Sequence, residues 1–137
     1  MSGEGPFDTI GTVGAGAYGA ALALAAARAG RRVLLWAREA AAVDAIARTR
    51  QAPRLPGITL PEAVRETVQL ADLAGCDAVL ITVPTQSLRE VCRALAPLLP
   101  AGVPVISAAK GIERGSGLFT TQIIAQALPA ARPAILS

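Results

Sequence analysis

The sequence predicts a doubly wound α/β fold, a mostly parallel Rossmann sheet with helices on both faces. Gly14, Gly16 and Gly19 follow a short β-branched run at the G-x-G-x-x-G spacing and open an alanine-rich helical segment. Short apolar runs then alternate with segments of helical periodicity along the rest of the chain. The expected strand order is 3-2-1-4-5-6, in one dinucleotide-binding domain that spans residues 1–137.

In the first half of the chain, apolar runs without polar alternation indicate strands that are covered on both faces. The expected strands are Asp8–Val13 and Arg32–Trp36, and the expected helices are Ala17–Ala29, closed by Gly30, and Glu39–Arg48. The proline-rich segment Gln51–Pro61 is predicted to be a loop. After it we expect a short helix over Pro61–Arg65 and a short strand over Thr67–Leu70.

The second half of the chain continues the alternation of strands and helices. Ala78–Val83 is the clearest buried strand, and Pro84 ends it. A helix is predicted over Gln86–Leu95, because its apolar residues recur on one face. The remaining expected elements are a strand over Val103–Ala108, a helix over Gly117–Leu128 and a last strand over Pro133–Leu136.

Composition excludes several classes of function. The chain has 137 residues, a net charge of +3 and 3% aromatic residues, and twelve of its thirteen basic residues are scattered arginines. A nucleic-acid surface needs a clustered basic face with aromatic stacking groups, so we expect no nucleic-acid partner. There is no histidine, and Cys76 and Cys92 lack metal-ligand spacing, so we expect no metal. Reduced, buried thiols are expected, which fits the cytoplasm.

The uncharged stretch Thr9–Ala27 has the length of a membrane span or a signal peptide. Its alanines and glycines are only weakly apolar, and Glu4 and Asp8 stand where a signal peptide has positive charge. We therefore expect no membrane or export segment.

Each glycine of the G-x-G-x-x-G pattern has a predicted role. Gly14 makes the turn out of the strand, Gly16 lets the backbone approach a pyrophosphate, and Gly19 lets the helix pack against the strand. The helix that begins near Ala17 would direct its free N–H groups at the phosphates. The alternative is an ordinary glycine-rich strand-to-helix turn.

The residue after the second strand bears on the choice of cofactor. A site for NAD usually has an acid here for the ribose 2′-hydroxyl, whereas this chain reads Trp36-Ala37-Arg38-Glu39. The Arg38 guanidinium suits a 2′-phosphate, which favours NADPH, with NADH possible. Glu39 is either the ribose acid or a carboxylate at the start of a helix. The alternative for Arg38 is a solvated surface arginine.

Lys110 is the only lysine in the chain and follows a predicted strand at its carboxyl end. An ammonium group there would reach a substrate phosphate or carbonyl. The alternative is an ordinary surface charge. No nucleophile with a base is readable, since the serines have no histidine to activate them.

Five segments, taken together, resemble bacterial NAD(P)-dependent glycerol-3-phosphate dehydrogenase. They are G-A-G-A-Y-G-A-A-L-A at Gly14–Ala23, L-L-W-A-R-E at Leu34–Glu39, R-L-P-G at Arg54–Gly57, V-P-T-Q-S-L-R-E-V at Val83–Val91 and A-K-G-I-E at Ala109–Glu113. The resemblance runs from Asp8 to Ser137 and covers only the family's amino-terminal, cofactor-binding domain.

This resemblance implies hydride transfer between dihydroxyacetone phosphate and glycerol 3-phosphate, the first step toward phospholipid. Lys110 would also bind the phosphorylated substrate. Arg54 stands where the family often has an aromatic residue, and Ala17 where it often has serine. The implied cofactor-binding residues are Gly14, Gly16, Ala17, Tyr18, Gly19, Arg38, Arg54, Pro84 and Lys110.

In this family the proton-transferring lysine and most substrate-binding groups belong to a carboxyl-terminal helical domain. We therefore expect this chain to be a fragment that is inactive alone, with a possible homodimer at full length. One alternative is the cofactor domain of a ketopantoate or hydroxyacid reductase, against which Trp36-Ala37-Arg38 and Lys110-Gly111-Ile112-Glu113 argue. The other is a non-enzymatic module that senses NAD(P)H.

Overall fold

The computed structural model describes residues 7–136, which form a six-stranded parallel sheet flanked by helices. The strands are β1 Thr9–Val13, β2 Arg32–Trp36, β3 Val64–Thr67, β4 Ala78–Ile81, β5 Pro104–Ser107 and β6 Arg132–Ile135. The helices are α1 Ala17–Arg28, α2 Ala40–Thr49, α3 Thr85–Leu95 and α4 Thr120–Ala127, with a 3₁₀ helix at Leu70–Gly75. The sheet order is β3-β2-β1-β4-β5-β6, which confirms the predicted Rossmann topology.

The central strand β1 aligns the strand ends on which a ligand site depends. Val13 is in register with Trp36 of β2 on one side and with Ile81 of β4 on the other. The chain builds outward from β1 to β3 and then crosses back to β4, so the strand order reverses between β1 and β4. The connections that leave β1, β2 and β4 therefore emerge side by side at the carboxyl edge of the sheet.

The core forms two apolar layers, one on each face of the sheet. Helices α1 and α2 cover β2 and β3, and the 3₁₀ helix, α3 and α4 cover β4 and β5. In α1 the buried positions are small residues such as Ala20 and Ala23, which let this helix approach the sheet closely. In α3 the predicted apolar face is buried: Leu88, Val91, Cys92 and Leu95.

The segment before the 3₁₀ helix differs from its prediction. The expected helix over Pro61–Arg65 and the strand over Thr67–Leu70 are wrong, because the strand is Val64–Thr67. Pairing with β2 decides the outcome, since Val33 lies opposite Val64 and Trp36 opposite Thr67. This edge pairing is a tertiary interaction that local sequence propensity does not report.

The Arg50 side chain, directly after α2, also holds this strand. The Arg50 guanidinium donates hydrogen bonds to the carbonyl oxygens of Pro61 and Val64 and forms an ion pair with Glu66 at 2.7 Å. These bonds fix the end of the proline-rich loop against β3.

Helix α4 begins at Thr120, three residues later than predicted. Gly115 and Gly117 have positive φ angles of +88° and +71°, so the backbone before the helix is a turn. The Phe119 N–H donates to the Gln122 side chain at 2.9 Å, which satisfies one of the free donors at the helix start.

Thr12 provides a test of the packing around the central strand. Its side chain is fully buried, and its hydroxyl finds no hydrogen-bond partner among the described residues. A buried polar group without a partner costs about 1–3 kcal/mol, and valine has nearly the same shape. We expect Thr12→Val to raise the free energy of unfolding by about 1 kcal/mol in urea denaturation.

The matched control is Thr85→Val, because Thr85 is also buried but donates to the Lys110 carbonyl oxygen at 3.0 Å. The free energy of unfolding of that variant should fall by about 1 kcal/mol. Equal destabilisation by the two substitutions would contradict the assignment of Thr12 as unsatisfied.

Candidate functional site

The turn between β1 and α1 is shaped by two glycines that the fold itself requires. Gly14 has φ +114°, and a Cβ atom here would overlap the Thr82 side chain. A Cβ atom on Gly19 would overlap the Gly14 carbonyl oxygen. The predicted packing role of Gly19 is therefore visible in this contact, and any larger residue would push α1 away from the strand.

Gly16 differs from these two glycines. Its backbone is extended, with φ −68° and ψ −178°, and a Cβ atom here would meet nothing within 4 Å. Gly16 is the N-cap of α1, and no side chain caps the first turn of this helix. The described residues therefore supply no steric reason for glycine at this position, although they supply one at Gly14 and Gly19.

A cleft of about 530 Å³ opens at the carboxyl edge of the sheet, where the strand order reverses. Three connections line it: residues 14–16 after β1, residues 37–39 after β2 with Trp36 at the end of that strand, and residues 82–84 after β4. Pro53 and Arg54, from the loop after α2, add to the wall, together with Ala41 and Ala42 of α2 and Ser87 of α3. The cleft occupies the position at which open α/β sheets bind their ligands.

Two guanidinium groups and one carboxylate line the cleft: Arg38, Arg54 and Glu39. The Arg38 side chain is 63% exposed, and its Nη2 atom lies 3.5 Å from Glu90 Oε1, whose side chain is also exposed. Such a long surface pair contributes little to stability, so it does not commit the guanidinium to the fold. Glu39 is the N-cap of α2 but makes no side-chain cap.

The cleft unites some of the predicted site residues and leaves others outside its lining. Gly14, Gly16, Arg38, Arg54 and Pro84 line it. The others do not: Ala17 and Tyr18 begin α1 with exposed side chains, Gly19 packs beneath the turn, and Lys110 is exposed on the loop after β5.

Lys110 nevertheless lies beside the cleft. Its carbonyl oxygen accepts a hydrogen bond from Thr85 Oγ1, and Thr85 directly follows the cleft residue Pro84. The Lys110 ammonium makes no hydrogen bond or ion pair with residues 7–136. This cation is therefore available to a ligand.

Sequence reasoning missed Thr82 and Ser87, which also line the cleft. Thr82 Oγ1 donates to the Val13 carbonyl oxygen at 2.9 Å, which ties the end of β4 to the end of β1. The signal that could have found it is its place near the carboxyl end of the predicted strand Ala78–Val83. Ser87 belongs to the first turn of α3, and its place in the cleft follows from the position of that helix.

Sequence reasoning also missed an ion pair between α3 and the loop that carries Lys110. The Arg89 guanidinium binds both carboxylate oxygens of Glu113, with Nη2–Oε1 at 2.8 Å and Nε–Oε2 at 3.0 Å. Together with a hydrogen bond from the Ser116 hydroxyl, Arg89 lowers the pKa of Glu113 from 4.5 to about 2. The charged pair thus contributes stability above pH 4.5, and that contribution is lost as the pH falls toward 2.

Both cysteines are free and buried, as predicted. Burial raises the pKa of the Cys76 thiol to about 11, with a smaller contribution from Asp77, and raises the pKa of the Cys92 thiol to about 12. These thiols stay protonated at neutral pH and are poor nucleophiles. In residues 7–136, no helix is both long and apolar enough to cross a membrane.

Comparison with known proteins identifies the family. The model of the NAD-dependent glycerol-3-phosphate dehydrogenase N-terminus matches residues 9–137. The chain belongs to this family. The resemblance that its sequence motifs indicated is therefore confirmed.

The relatives agree in sequence and in fold. The glycerol-3-phosphate dehydrogenase (NAD(P)+) of Azorhizobium caulinodans is 55% identical over 132 residues, which are 96% of this chain and 40% of that protein. The crystal structure of glycerol-3-phosphate dehydrogenase from Coxiella burnetii superposes with a TM-score of 0.87 at 32% identity, covering 95% of this chain and 40% of that one. The chain thus spans about 40% of the length of the family members that it matches.

Other dehydrogenases share the fold. A ketopantoate reductase from Ralstonia eutropha superposes with a TM-score of 0.73 at 23% identity, over 92% of this chain and 40% of that one. At this identity the likeness extends to the fold and not to the reaction.

The open space at Gly16 generates a direct test of the cleft. We expect Gly16→Ala to change the free energy of unfolding by less than about 1 kcal/mol, because alanine adopts this backbone conformation without a clash. If a pyrophosphate packs against this turn, the added methyl group should weaken the binding of NADPH by about tenfold or more. Urea denaturation and calorimetric titration measure the two effects.

Gly75→Ala is the matched control, since Gly75 also has open space and no positive φ but lies at the end of the 3₁₀ helix, outside the cleft. It should leave both quantities near their original values. Unchanged NADPH affinity in Gly16→Ala would contradict the packing of a pyrophosphate against the turn at Gly16.

Proposed function

We propose that the cleft binds NADPH, and that residues 1–137 act as the dinucleotide-binding domain of an enzyme that interconverts dihydroxyacetone phosphate and glycerol 3-phosphate. The observation that carries the proposal is Gly16. The fold requires glycine at Gly14 and Gly19 but leaves open the space that a side chain would fill at Gly16. A ligand backbone that packs against the turn accounts for this third glycine.

The start of α1 supplies the groups for the cofactor pyrophosphate. The N–H groups of Ala17 and Tyr18 belong to the first turn, which no side chain caps, and the helix dipole is positive at this end. Negative phosphate oxygens are stabilised by both features. The exposed Tyr18 ring, next to the turn, would cover the bound cofactor from the solvent side.

Arg38 carries the preference for NADPH. Its guanidinium lines the cleft directly after β2, where the 2′ position of the adenosine ribose is expected, and its only ion pair among the described residues is the long contact to Glu90. A planar guanidinium pairs with a phosphate through two hydrogen bonds. Arg54 faces the same cleft and adds a second positive charge near this end.

Lys110 is proposed to bind the phosphorylated substrate. The bound nicotinamide would supply the hydride for the substrate carbonyl. The ammonium group of Lys110, whose backbone carbonyl oxygen is held by Thr85, would orient the substrate through its phosphate or its carbonyl oxygen. It would also stabilise the negative charge that develops on that oxygen.

Turnover is proposed for the full-length enzyme and not for this chain by itself. The chain spans about 40% of the length of its relatives, and the resemblance implies a proton-transferring lysine in the remainder. Lys110 is the only lysine of this chain. We also expect a cytoplasmic protein and a homodimer at full length.

The cofactor preference is tested by Arg38→Asp. One charge-assisted pair contributes about 1.5–3 kcal/mol, so NADPH affinity should fall by about tenfold to hundredfold. NADH affinity should change little, because NADH has no 2′-phosphate. Calorimetric titration of the chain with both cofactors measures the two losses.

Arg65→Asp is the control for the change of net charge, since Arg65 is an exposed arginine of β3 outside the cleft. Equal losses of NADPH and NADH affinity in Arg38→Asp would refute the 2′-phosphate contact.

The substrate role is tested by Lys110→Ala in a full-length enzyme that carries this chain as its amino-terminal part. Turnover of dihydroxyacetone phosphate should fall by a factor on the order of 10² or more, because the developing oxyanion loses its cation. Lys110→Arg should restore activity only in part, since the guanidinium is longer and aims its donors differently.

Arg114→Ala removes another exposed cation of the same loop and serves as the control. Steady-state kinetics and thermal melts distinguish loss of chemistry from loss of fold. Near-normal turnover in Lys110→Ala would contradict a role of this lysine in substrate binding or catalysis.

A further inference from the structure

The loop that carries Lys110 is closed on itself, because Ile112 pairs with Phe119 in an isolated β-bridge and the Glu113 N–H donates to the Leu118 carbonyl oxygen at 2.9 Å. It joins β5 to α4, and Gly111, Gly115 and Gly117 give it three positive φ angles. At its far end Leu118 packs against the core, whereas Ile112 is 50% exposed and Phe119 58% exposed. Apolar burial therefore holds the end of the loop next to α4, and the position of the part that carries Lys110 depends on polar contacts.

The side-chain hydrogen bonds that join residues 110–118 to another element come from one helix, α3. Thr85 donates to the Lys110 carbonyl oxygen at 3.0 Å. The Gln86 side chain donates to the Ile112 carbonyl oxygen at 3.1 Å and accepts from the Arg114 N–H at 2.9 Å.

One turn further along α3, Arg89 reaches the same loop and forms the bidentate ion pair with Glu113. Among these contacts, only the Arg89–Glu113 pair joins two charged groups through two parallel hydrogen bonds. Two parallel N–H···O bonds fix the relative orientation of both side chains, which a single bond does not do. The side chains are only 20% and 12% exposed, whereas both partners of the neighbouring Arg38–Glu90 pair are largely exposed.

The Ser116 hydroxyl donates a further hydrogen bond to Glu113 at 2.6 Å, and Glu113 accepts these bonds as a carboxylate, because its pKa is lowered to about 2.

We propose that Arg89 and Glu113 are positioning residues for Lys110, because their ion pair fastens the lysine-bearing loop to the helix that also forms a wall of the cleft. The chain from Pro84 through α3 gives the cleft and the loop one rigid support. Without the pair, Lys110 would remain charged, but its ammonium group would no longer be held beside the proposed cofactor site. This inference rests on the proposed role of Lys110 in the function above.

Because Lys110 is the only lysine, the reactivity of its amine can be measured in this chain without further substitutions. N-hydroxysuccinimide acetate modifies amines, and peptide mass spectrometry separates Lys110 from the α-amino group, which serves as the internal reference. At an NADPH concentration of about ten times Kd, an amine that the cofactor covers should react about tenfold more slowly, following 1 + [L]/Kd. The quantity compared is the rate ratio with and without NADPH, taken within each variant.

We expect about tenfold protection of Lys110 in the unmodified chain and less than about twofold in Arg89→Gln and Glu113→Gln, measured at the same multiple of each variant's own Kd. Their NADPH Kd should change by less than about threefold, because the turn at Gly16 and Arg38 are untouched. A purely structural role would move stability and affinity without removing protection selectively at Lys110. Arg93→Gln, an exposed arginine one turn along α3, is the control and should keep full protection.

The charge-swapped double variant Arg89→Glu with Glu113→Arg restores a pair and should recover part of the protection. It also keeps the test available if Arg89→Gln does not fold, as does Glu113→Gln, which preserves the shape of the side chain. Full protection in folded Arg89→Gln or Glu113→Gln would overturn the positioning role while leaving Lys110 at the cofactor. Absence of protection in the unmodified chain would overturn the placement of Lys110 at the cofactor, and the positioning role with it, whereas the substrate role is tested separately by Lys110→Ala in the full-length enzyme.

Discussion

The close approach of α1 to the end of β1 is the constraint on which the site depends. Gly19 faces the carbonyl oxygen of Gly14 with no room for a Cβ atom between them. The Gly14 N–H donates to the Trp36 carbonyl oxygen, and Thr82 donates to the carbonyl oxygen of Val13. The turn is thus tied to both neighbouring strands, and the start of α1 is held above the point at which the strand order reverses. A longer side chain at Gly19 would move the helix and the cleft together.

Parallel register converts this local geometry into a site. Because β1, β2 and β4 end in line, the residues that follow them share one edge of the sheet although they are far apart in the chain. That edge collects the helix start, Arg38 and Pro84 in the cleft, with Lys110 beside it. Positive groups at an uncapped helix start suit an anionic ligand. Fold and charge therefore favour the same class of ligand, a phosphate-bearing cofactor.

The sequence predicted the fold and part of the site because both depend on local patterns. Spaced glycines and apolar runs specify turns and buried strands, and the position of Arg38 follows from the end of β2. The strand Val64–Thr67 escaped prediction, because its pairing with β2 and its bonds to Arg50 are long-range interactions. The Arg89–Glu113 pair escaped for the same reason, since 24 residues separate its partners. Interactions between distant side chains leave no periodic signal in one sequence.

The central claim is that the carboxyl-edge cleft binds the dinucleotide, and NMR titration of the ¹⁵N-labelled chain with NADPH tests it most directly. Binding should shift the backbone amide signals of Gly14, Gly16 and Tyr18, those of Arg38 and Thr85, and that of Lys110. Signals at the opposite edge of the sheet, such as Asp77, Gly102 and Arg132, should stay in place. Shifts confined to that opposite edge, or no shifts at NADPH concentrations in the millimolar range, would contradict the account.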